Sequence, residues 1–207
     1  MKSVLLGLAV VAATAQLASA ATILNGSFED TSPVGGFDTL AAGNGNIANW
    51  TIESGTVDFI GSYWQADDGT NSIDMTGVSI GTISQLITGL TSGVKYMITF
   101  AMSGNPDNGP GSKFMTVNAG GETGIYEYVV GALNSRTMMK WEDFQFFFTA
   151  GSTSELLTFA AVADNACCFG PALDNVSISA VPLPASAPLI LGALGALAAL
   201  RRRRARA

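Results

Sequence analysis

Tyr96-Met-Ile-Thr-Phe-Ala-Met102 and Trp141-Glu-Asp-Phe-Gln-Phe-Phe-Phe148 decide the fold class of this 207-residue chain. In an extended strand successive side chains point to opposite faces. Tyr96, Ile98, Phe100 and Met102 therefore share one side of the first stretch, and Phe144, Phe146 and Phe148 share one side of the second. Burying each such side chain is worth roughly 1.5–3 kcal/mol, so these faces read as core and not as ligand platforms. The same period recurs on both sides of them. Short alternating runs, broken roughly every 8–12 residues by Gly, Asn, Asp or Pro, predict strands at Thr56–Tyr63, Ser72–Met75, Gly81–Ile87, Lys95–Met102, Lys113–Asn118, Gly124–Val129, Lys140–Thr149, Glu155–Val162 and Ala172–Ala180. No stretch of ten or more residues among them sustains apolar positions at helical spacing. The expectation is an all-β, antiparallel β-sandwich.

The two ends differ in character from this middle. Lys2, an apolar core from Val4 to Val11 and the small-residue site Ala18-Ser19-Ala20 predict a signal peptide over residues 1–20, removed by signal peptidase. Val181-Pro-Leu-Pro-Ala-Ser-Ala-Pro-Leu-Ile-Leu-Gly-Ala-Leu-Gly-Ala-Leu-Ala-Ala-Leu200 is uncharged and is followed by Arg201 to Arg204 and Arg206. A spanning helix needs about 20 apolar residues, a length this run reaches only with its prolines counted. The positive-inside rule puts the arginines in the cytoplasm and everything before Val181 outside it. The chain thus divides into a signal peptide (1–20), a domain of roughly 160 residues (21–180), large enough for its own core, and a C-terminal transmembrane sorting helix (181–207). Membrane contact is expected only through that tail.

The tail resembles the PEP-CTERM class of bacterial sorting signals in its VPLPA variant, carried here by Val181, Pro182, Leu183, Pro184 and Ala185. The resemblance implies recognition by an exosortase-type transpeptidase that cuts near Pro182–Ala185. It also implies transient anchoring in the inner membrane of a Gram-negative bacterium, followed by release to the cell surface or extracellular matrix. An ordinary C-terminal membrane anchor is the alternative, and both export the domain.

Charge and missing residue types narrow the function. Lys2 and the five tail arginines are six of the ten basic residues, which leaves Lys95, Lys113, Arg136 and Lys140 against all 16 acids, a balance of −12 in the domain. Such a surface repels phosphate backbones, so nucleic acid is not an expected partner. With no histidine in the chain, imidazole bases, imidazole metal ligands and Ser-His-Asp or Cys-His pairs are excluded. A metal would sit in oxygen ligands, which favours calcium. Cys167 and Cys168 are neighbours. They form either a vicinal disulfide or two thiols, and no nearby basic residue lowers a thiol pKa for redox work.

Two loops combine aromatic and hydrogen-bonding side chains. Gly61–Asn71 sets Tyr63 and Trp64 beside Gln65, Asp67, Asp68 and Asn71, a set suited to stacking on a sugar face while bonding its hydroxyls. Gly104–Gly111 offers acceptors at Asn105, Asp107 and Asn108. The competing reading makes Trp64 a plug over one end of the core and the polar residues turn formers. The opening Leu24-Asn-Gly-Ser-Phe-Glu-Asp30 and closing Gly170-Pro-Ala-Leu-Asp-Asn-Val-Ser-Ile178 are expected as adjacent first and last strands, with Glu29 near Asp174.

Asn25-Gly-Ser-Phe-Glu29, Trp50, Val57-Asp-Phe-Ile60, Trp64, Ser72-Ile-Asp-Met75, Ile83-Ser-Gln-Leu86, Gly104-Asn-Pro106 and Gly170-Pro-Ala-Leu-Asp-Asn-Val-Ser177 together resemble the DUF642 and choice-of-anchor C family over residues 23–179. The resemblance implies a galactose-binding-like jelly roll, similar to carbohydrate-binding modules of glycoside hydrolases. It also implies a structural calcium on Glu29 and Asp174, with Asn25 or backbone carbonyls completing a shell of about six to eight oxygens. The expected function is a non-catalytic surface module that binds polysaccharide or envelope glycan. A self-associating matrix protein without a small ligand is the alternative. A hydrolase is less supported, because the acids are scattered and no catalytic motif appears.

Overall fold

The computed structural model describes residues 20–162 and 168–182. The signal peptide up to Ser19, Cys167, and Leu183, Pro184, Ala185 and the rest of the sorting tail lie outside the described residues, so the vicinal-disulfide and sorting expectations are not addressed by it. Among the described residues no helix is long and apolar enough to cross a membrane.

Among the described residues eleven strands form: β1 Phe37–Ala41, β2 Thr51–Ser54, β3 Thr56–Ile60, β4 Ser72–Asp74, β5 Thr82–Thr88, β6 Lys95–Gly104, β7 Gly111–Ala119, β8 Glu122–Val130, β9 Glu142–Thr149, β10 Ser154–Ala161 and β11 Pro171–Ala180, with one 3₁₀ turn at Pro106–Asn108. They build a six-stranded sheet, β1-β3-β4-β11-β6-β9, and a five-stranded sheet, β2-β5-β10-β7-β8. Every pairing is antiparallel. The all-β antiparallel sandwich read from alternation is the observed architecture.

The core fills the space between the sheets. Tyr96, Ile98, Phe100 and Met102 of β6 and Phe146 and Phe148 of β9 are buried in it, and Phe144 packs against it. The register explains their contacts. Phe100 faces Phe144 and Tyr96 faces Phe148 across the β6–β9 ladder, with stacked rings 5.8 Å apart in each pair. Phe100 also meets Phe159 of the opposite sheet edge-on at 5.3 Å, which ties the two layers.

β1 and β2 are absent from the alternation reading. Each lies at a sheet edge, and each buries one side chain, Leu40 and Ile52 respectively. One buried position generates no period. The opening Leu24–Asp30 is also corrected: it runs beside β11, as expected, but as a turn and not as a strand. Asn25 and Phe28 take φ of 50° and 62°, and Val176 N donates to Gly26 O at 2.8 Å. A Cβ on Gly26 would stand 1.9 Å from Val176 O, so only glycine permits this approach. Phe28 is thereby driven into the core against Trp50, at 5.5 Å.

A second, smaller apolar cluster of Ile60, Trp64, Met139 and Ala172 lies on the outer face of the six-stranded sheet. The connection 131–141 covers it. Ser103 and Tyr128 donate to Met139 O, and Asn134 Nδ2 donates both to Met139 O and to the Tyr128 hydroxyl. Buried donors and acceptors are paired here, as burial demands.

Candidate functional site

Three connections meet around that outer cluster: 61–71 between β3 and β4, 105–110 between β6 and β7, and 131–141 between β8 and β9. Gln65 N donates to Arg136 O at 2.8 Å and Trp141 Nε1 donates to Gln65 O at 3.0 Å, so the first and third connections are stitched together. Asp107 joins the second. Its carboxylate accepts from Arg136 Nε at 2.9 Å, from Arg136 Nη2 at 2.8 Å and from the Tyr63 hydroxyl at 2.6 Å. The fork geometry matches guanidinium to carboxylate. The Arg136 guanidinium holds the Asp107 carboxyl below its ordinary range despite some burial. Desolvation, then the Asp107 carboxylate, raises the Tyr63 phenol, so it stays protonated as the donor.

Trp64 divides the surface here into two clefts. The larger, about 640 Å³, lies between connection 61–71 and Ser32–Gly35, with Gln65 and Asp67 on its rim. The smaller, about 320 Å³, is lined by Phe37, Asp58, Tyr63, Val78, Asp107 and Phe169, with Thr39, Ile60, Trp64, Gly77, Asn105 and Cys168 completing it. Asp58 Oδ1 accepts from Thr39 Oγ1 at 2.6 Å, and partial burial raises the carboxyl above its ordinary range. A methyl on Gly77 would come 3.0 Å from that oxygen, so glycine keeps the approach to Asp58 open. Asp74, directly across the β3–β4 ladder from Asp58, is fully buried. It accepts from Asn105 Nδ2, Thr76 N and Gly170 N. Burial pushes it up to about 7 against those three donors.

The structure sorts the residues nominated from sequence. Tyr63 and Asp107 are brought together in the smaller cleft. Gln65, Asp67 and Asp68 are exposed on connection 61–71, where Asp67 Oδ2 accepts from Asn175 Nδ2 at 3.1 Å. Of the two readings of Trp64, its burial favours the plug. Trp64 is 4% exposed and donates from Nε1 to Ser72 Oγ at 2.8 Å, while bordering both clefts. Asn71 and Asn105 are likewise internal braces. Asn71 Nδ2 donates to Phe28 O and Thr31 O, and Asn105 links Asp74, Cys168 O and Asp107 N.

Asn25, Glu29 and Asp174, the residues expected to share a calcium, each hold hydrogen-bond partners within the chain. Glu29 Oε1 accepts from Thr70 N and Asn71 N, and its Oε2 accepts from Thr70 Oγ1. Asp174 Oδ2 accepts from Asp67 N and Asp68 N, and its Oδ1 accepts from Asn175 N. Asn25 Oδ1 accepts from Asp30 N while its Nδ2 donates to Ala48 O. Each of these oxygens accepts from a donor of the chain itself, and Glu29 Oε1 and Asp174 Oδ2 accept from two. Among the described residues no group of three or more His, Cys, Asp or Glu converges to hold a metal. The two carboxylates do lie by one feature, as the first-strand/last-strand argument expects, but that feature is the amide row of connection 61–71. Gly69, at φ 69°, lets Glu29 close in.

Arg136, Asp58, Phe37 and Phe169 were not singled out from sequence. Arg136 carried one usable signal, being among only four basic residues of an acidic domain. The other three have local contexts like those of any strand or turn residue.

Two antiparallel sheets packed face to face, with loop-walled clefts on one outer face, define the class: an all-β sandwich of the jelly-roll kind. Residues 21–179 match the family model described as a protein of unknown function, DUF642, and the chain belongs to that family. Halomucin of Haloquadratum walsbyi (strain DSM 16790 / HBSQ001) is 36% identical over 180 residues, which are 81% of this chain and 2% of that protein. The chain therefore spans only about one fiftieth of that relative's length. Among solved structures, the arabinose-bound MgGH51 α-L-arabinofuranosidase is similar with a TM-score of 0.51 at 14% identity, over 79% of this chain and 27% of that one. TmCBM61 in complex with β-1,4-galactotriose gives a TM-score of 0.47 at 12% identity, over 77% and 97%. At 14% identity the likeness to the arabinofuranosidase is one of fold.

Proposed function

We propose that the chain is a non-catalytic glycan-binding module whose saccharide enters the cleft between Phe37, Asp58, Tyr63, Asp107 and Phe169. The observation that carries this reading is the pinned Tyr63 ring at the cleft wall beside a half-buried acceptor on the floor. A ring already fixed by Asp107 and Arg136 gives up little freedom on binding. Aromatic walls with a few placed polar groups are what a small saccharide site needs. The carboxylates of Asp58 and Asp107 disfavour uronates, so the ligand is a neutral sugar. Binding without transformation is supported by the state of the cleft's second carboxylate, Asp107, which is taken up by Arg136 and the Tyr63 hydroxyl. Calorimetric titration with neutral and uronic oligosaccharides, β-1,4-galactotriose among them, tests it. Saturable binding of a neutral sugar that Tyr63→Ala removes is the expected result, whereas preference for galacturonan would sink the assignment.

Export supports the same reading. We take Met1–Ala20 and Val181–Ala207 as ends that are cut by signal peptidase and an exosortase-type enzyme, placing the domain at the cell surface or in the matrix. Mass spectrometry of the mature protein checks both cuts, and an intact chain recovered from the cytoplasm contradicts them.

One observation favours a second reading, self-association without ligand. Leu86 and Leu156 face each other across β5–β10 on the outer side of the five-stranded sheet, and both are exposed, as are Ile125 and Val129 of β8. Sedimentation that rises with protein concentration in the absence of glycan supports this alternative. The acidic charge opposes it.

A further inference from the structure

The outer face of the six-stranded sheet holds another groove, of about 340 Å³, bordered by Asn175, which bonds Asp67 of connection 61–71. It is built in register: Gln145 of β9 faces Thr99 of β6, and Thr99 faces Ser177 of β11, with Thr99 Oγ1 and Ser177 Oγ 2.6 Å apart. Asp143 stands two residues from Gln145 on the same side of β9. Neither side chain bonds any described residue.

Alternation along β9 extends the groove into a strip. Trp141, Asp143, Gln145 and Phe147 all point outward, spanning roughly 20 Å at about 3.4 Å per residue. Trp141 is fixed at one end by its bond to Gln65 O. Phe147, 41% exposed, closes the other, with Lys95 Nζ 5.0 Å from its ring centroid. The third wall is a deviation from regular sheet. β11 is bulged between Asp174 and Ser177, and Asn175 sits there at φ 50°, a conformation that side-chain-bearing residues seldom adopt. Bulges re-aim side chains and gather beside functional sites. This one turns Asn175 outward, where it is exposed and reaches Asp67.

We propose that this strip is a second glycan-binding surface, which takes a short length of neutral oligosaccharide along β9. It rests on the glycan-binding reading above and adds a site to it. The chemistry of the lining selects the ligand class. Gln145, Thr99, Ser177 and Asn175 supply donors and acceptors together, Asp143 supplies acceptors alone, and the one cation of the strip is held over Phe147. An uncharged, hydroxyl-rich chain matches that inventory, and an apolar or strongly charged one does not.

The test uses the full chain, its Asp143→Ala/Gln145→Ala double variant and its Tyr63→Ala variant, titrated with β-1,4-galactotriose, xylotriose and cellotriose and followed by backbone amide shifts. The two replaced β9 side chains are exposed and bond nothing described, so the double variant is expected to melt with the parent. The expected result is saturable shifts at Thr99, Gln145 and Ser177 with at least one sugar, weakened tenfold or more in the double variant and retained in Tyr63→Ala. Shifts confined to Asp58, Tyr63 and Asp107, unchanged in the double variant, overturn the second surface and leave the loop cleft standing. No shift anywhere with any of the three sugars overturns both.

Discussion

The guanidinium of Arg136 lies 4.0 Å from the centroid of the Tyr63 ring, and both residues bond the same carboxylate, Asp107. A cation over an aromatic face is stabilising, and here it also fixes the ring's orientation. Arg136 is half exposed, so its weight is expected in positioning and not in global stability. Arg136→Lys keeps the charge but loses the fork and the flat stacking surface. The expected outcome is a melting temperature close to the parent's with saccharide affinity at the loop cleft reduced about tenfold, which corresponds to 1.4 kcal/mol. Titration calorimetry beside a thermal melt separates the two.

Trp64 as a plug carries a different signature. Trp64→Ala is expected to cost about 3–5 kcal/mol, read as a lower urea midpoint. Trp64→Phe removes the donor to Ser72 and part of the buried ring, and is expected to cost roughly 1–3 kcal/mol with binding preserved. Loss of binding by Trp64→Phe at unchanged stability would return Trp64 to the role of a platform.

Chelation should do little. Glu29 and Asp174 hold backbone amides, so EDTA is expected to leave the melting curve unchanged and added calcium to leave it unraised. Asp174→Asn, by contrast, strands a partly buried amide donor and is expected to cost about 1 kcal/mol with or without calcium. A calcium-dependent rise in melting temperature would show that the amide row rearranges around a cation.

The buried acids predict an unusual pH dependence. Asp74 and Asp174 are each raised from 3.8 to about 7 by burial, and Asp58 is raised in the same direction. A carboxyl with a folded-state value above its unfolded one favours folding most when protonated. Its contribution is complete below about pH 4 and is lost as pH rises to about 7. Asp107 shifts the opposite way, and its contribution is lost only as pH falls below its ordinary range. Urea midpoints should therefore fall between pH 4 and 7, with Asp74 and Asp174 each contributing up to about 1.4 kcal/mol per pH unit. Asp74→Asn is expected to lower stability at pH 4 and to flatten the slope.

The Gly26 contact offers a check on the opening turn. Gly26→Ala sets a methyl against Val176 O, and backbone on both sides leaves no flexible end to yield. A loss of 3 kcal/mol or more is expected, about the upper range for overpacking, seen as a fall of roughly 6–12 °C in melting temperature at the usual 2–4 °C per kcal/mol for a chain of this size.

Sequence alone determined the fold class and most of its strands. Side-chain alternation is a local property, written into consecutive residues such as Tyr96–Met102, and a long central strand repeats it often enough to be read. β1 and β2 fell below that threshold because each edge strand buries one residue. The candidate site is not local. Asp58, Tyr63, Asp107, Arg136 and Phe169 come from different connections and strands, and only the ladders between β3, β4, β11 and β6 set them around one cleft. Tertiary structure also decided what Glu29 and Asp174 hold. A carboxylate's partner is whatever the chain folds against it, and here that partner is the backbone N–H row of connection 61–71, which side-chain chemistry alone does not reveal.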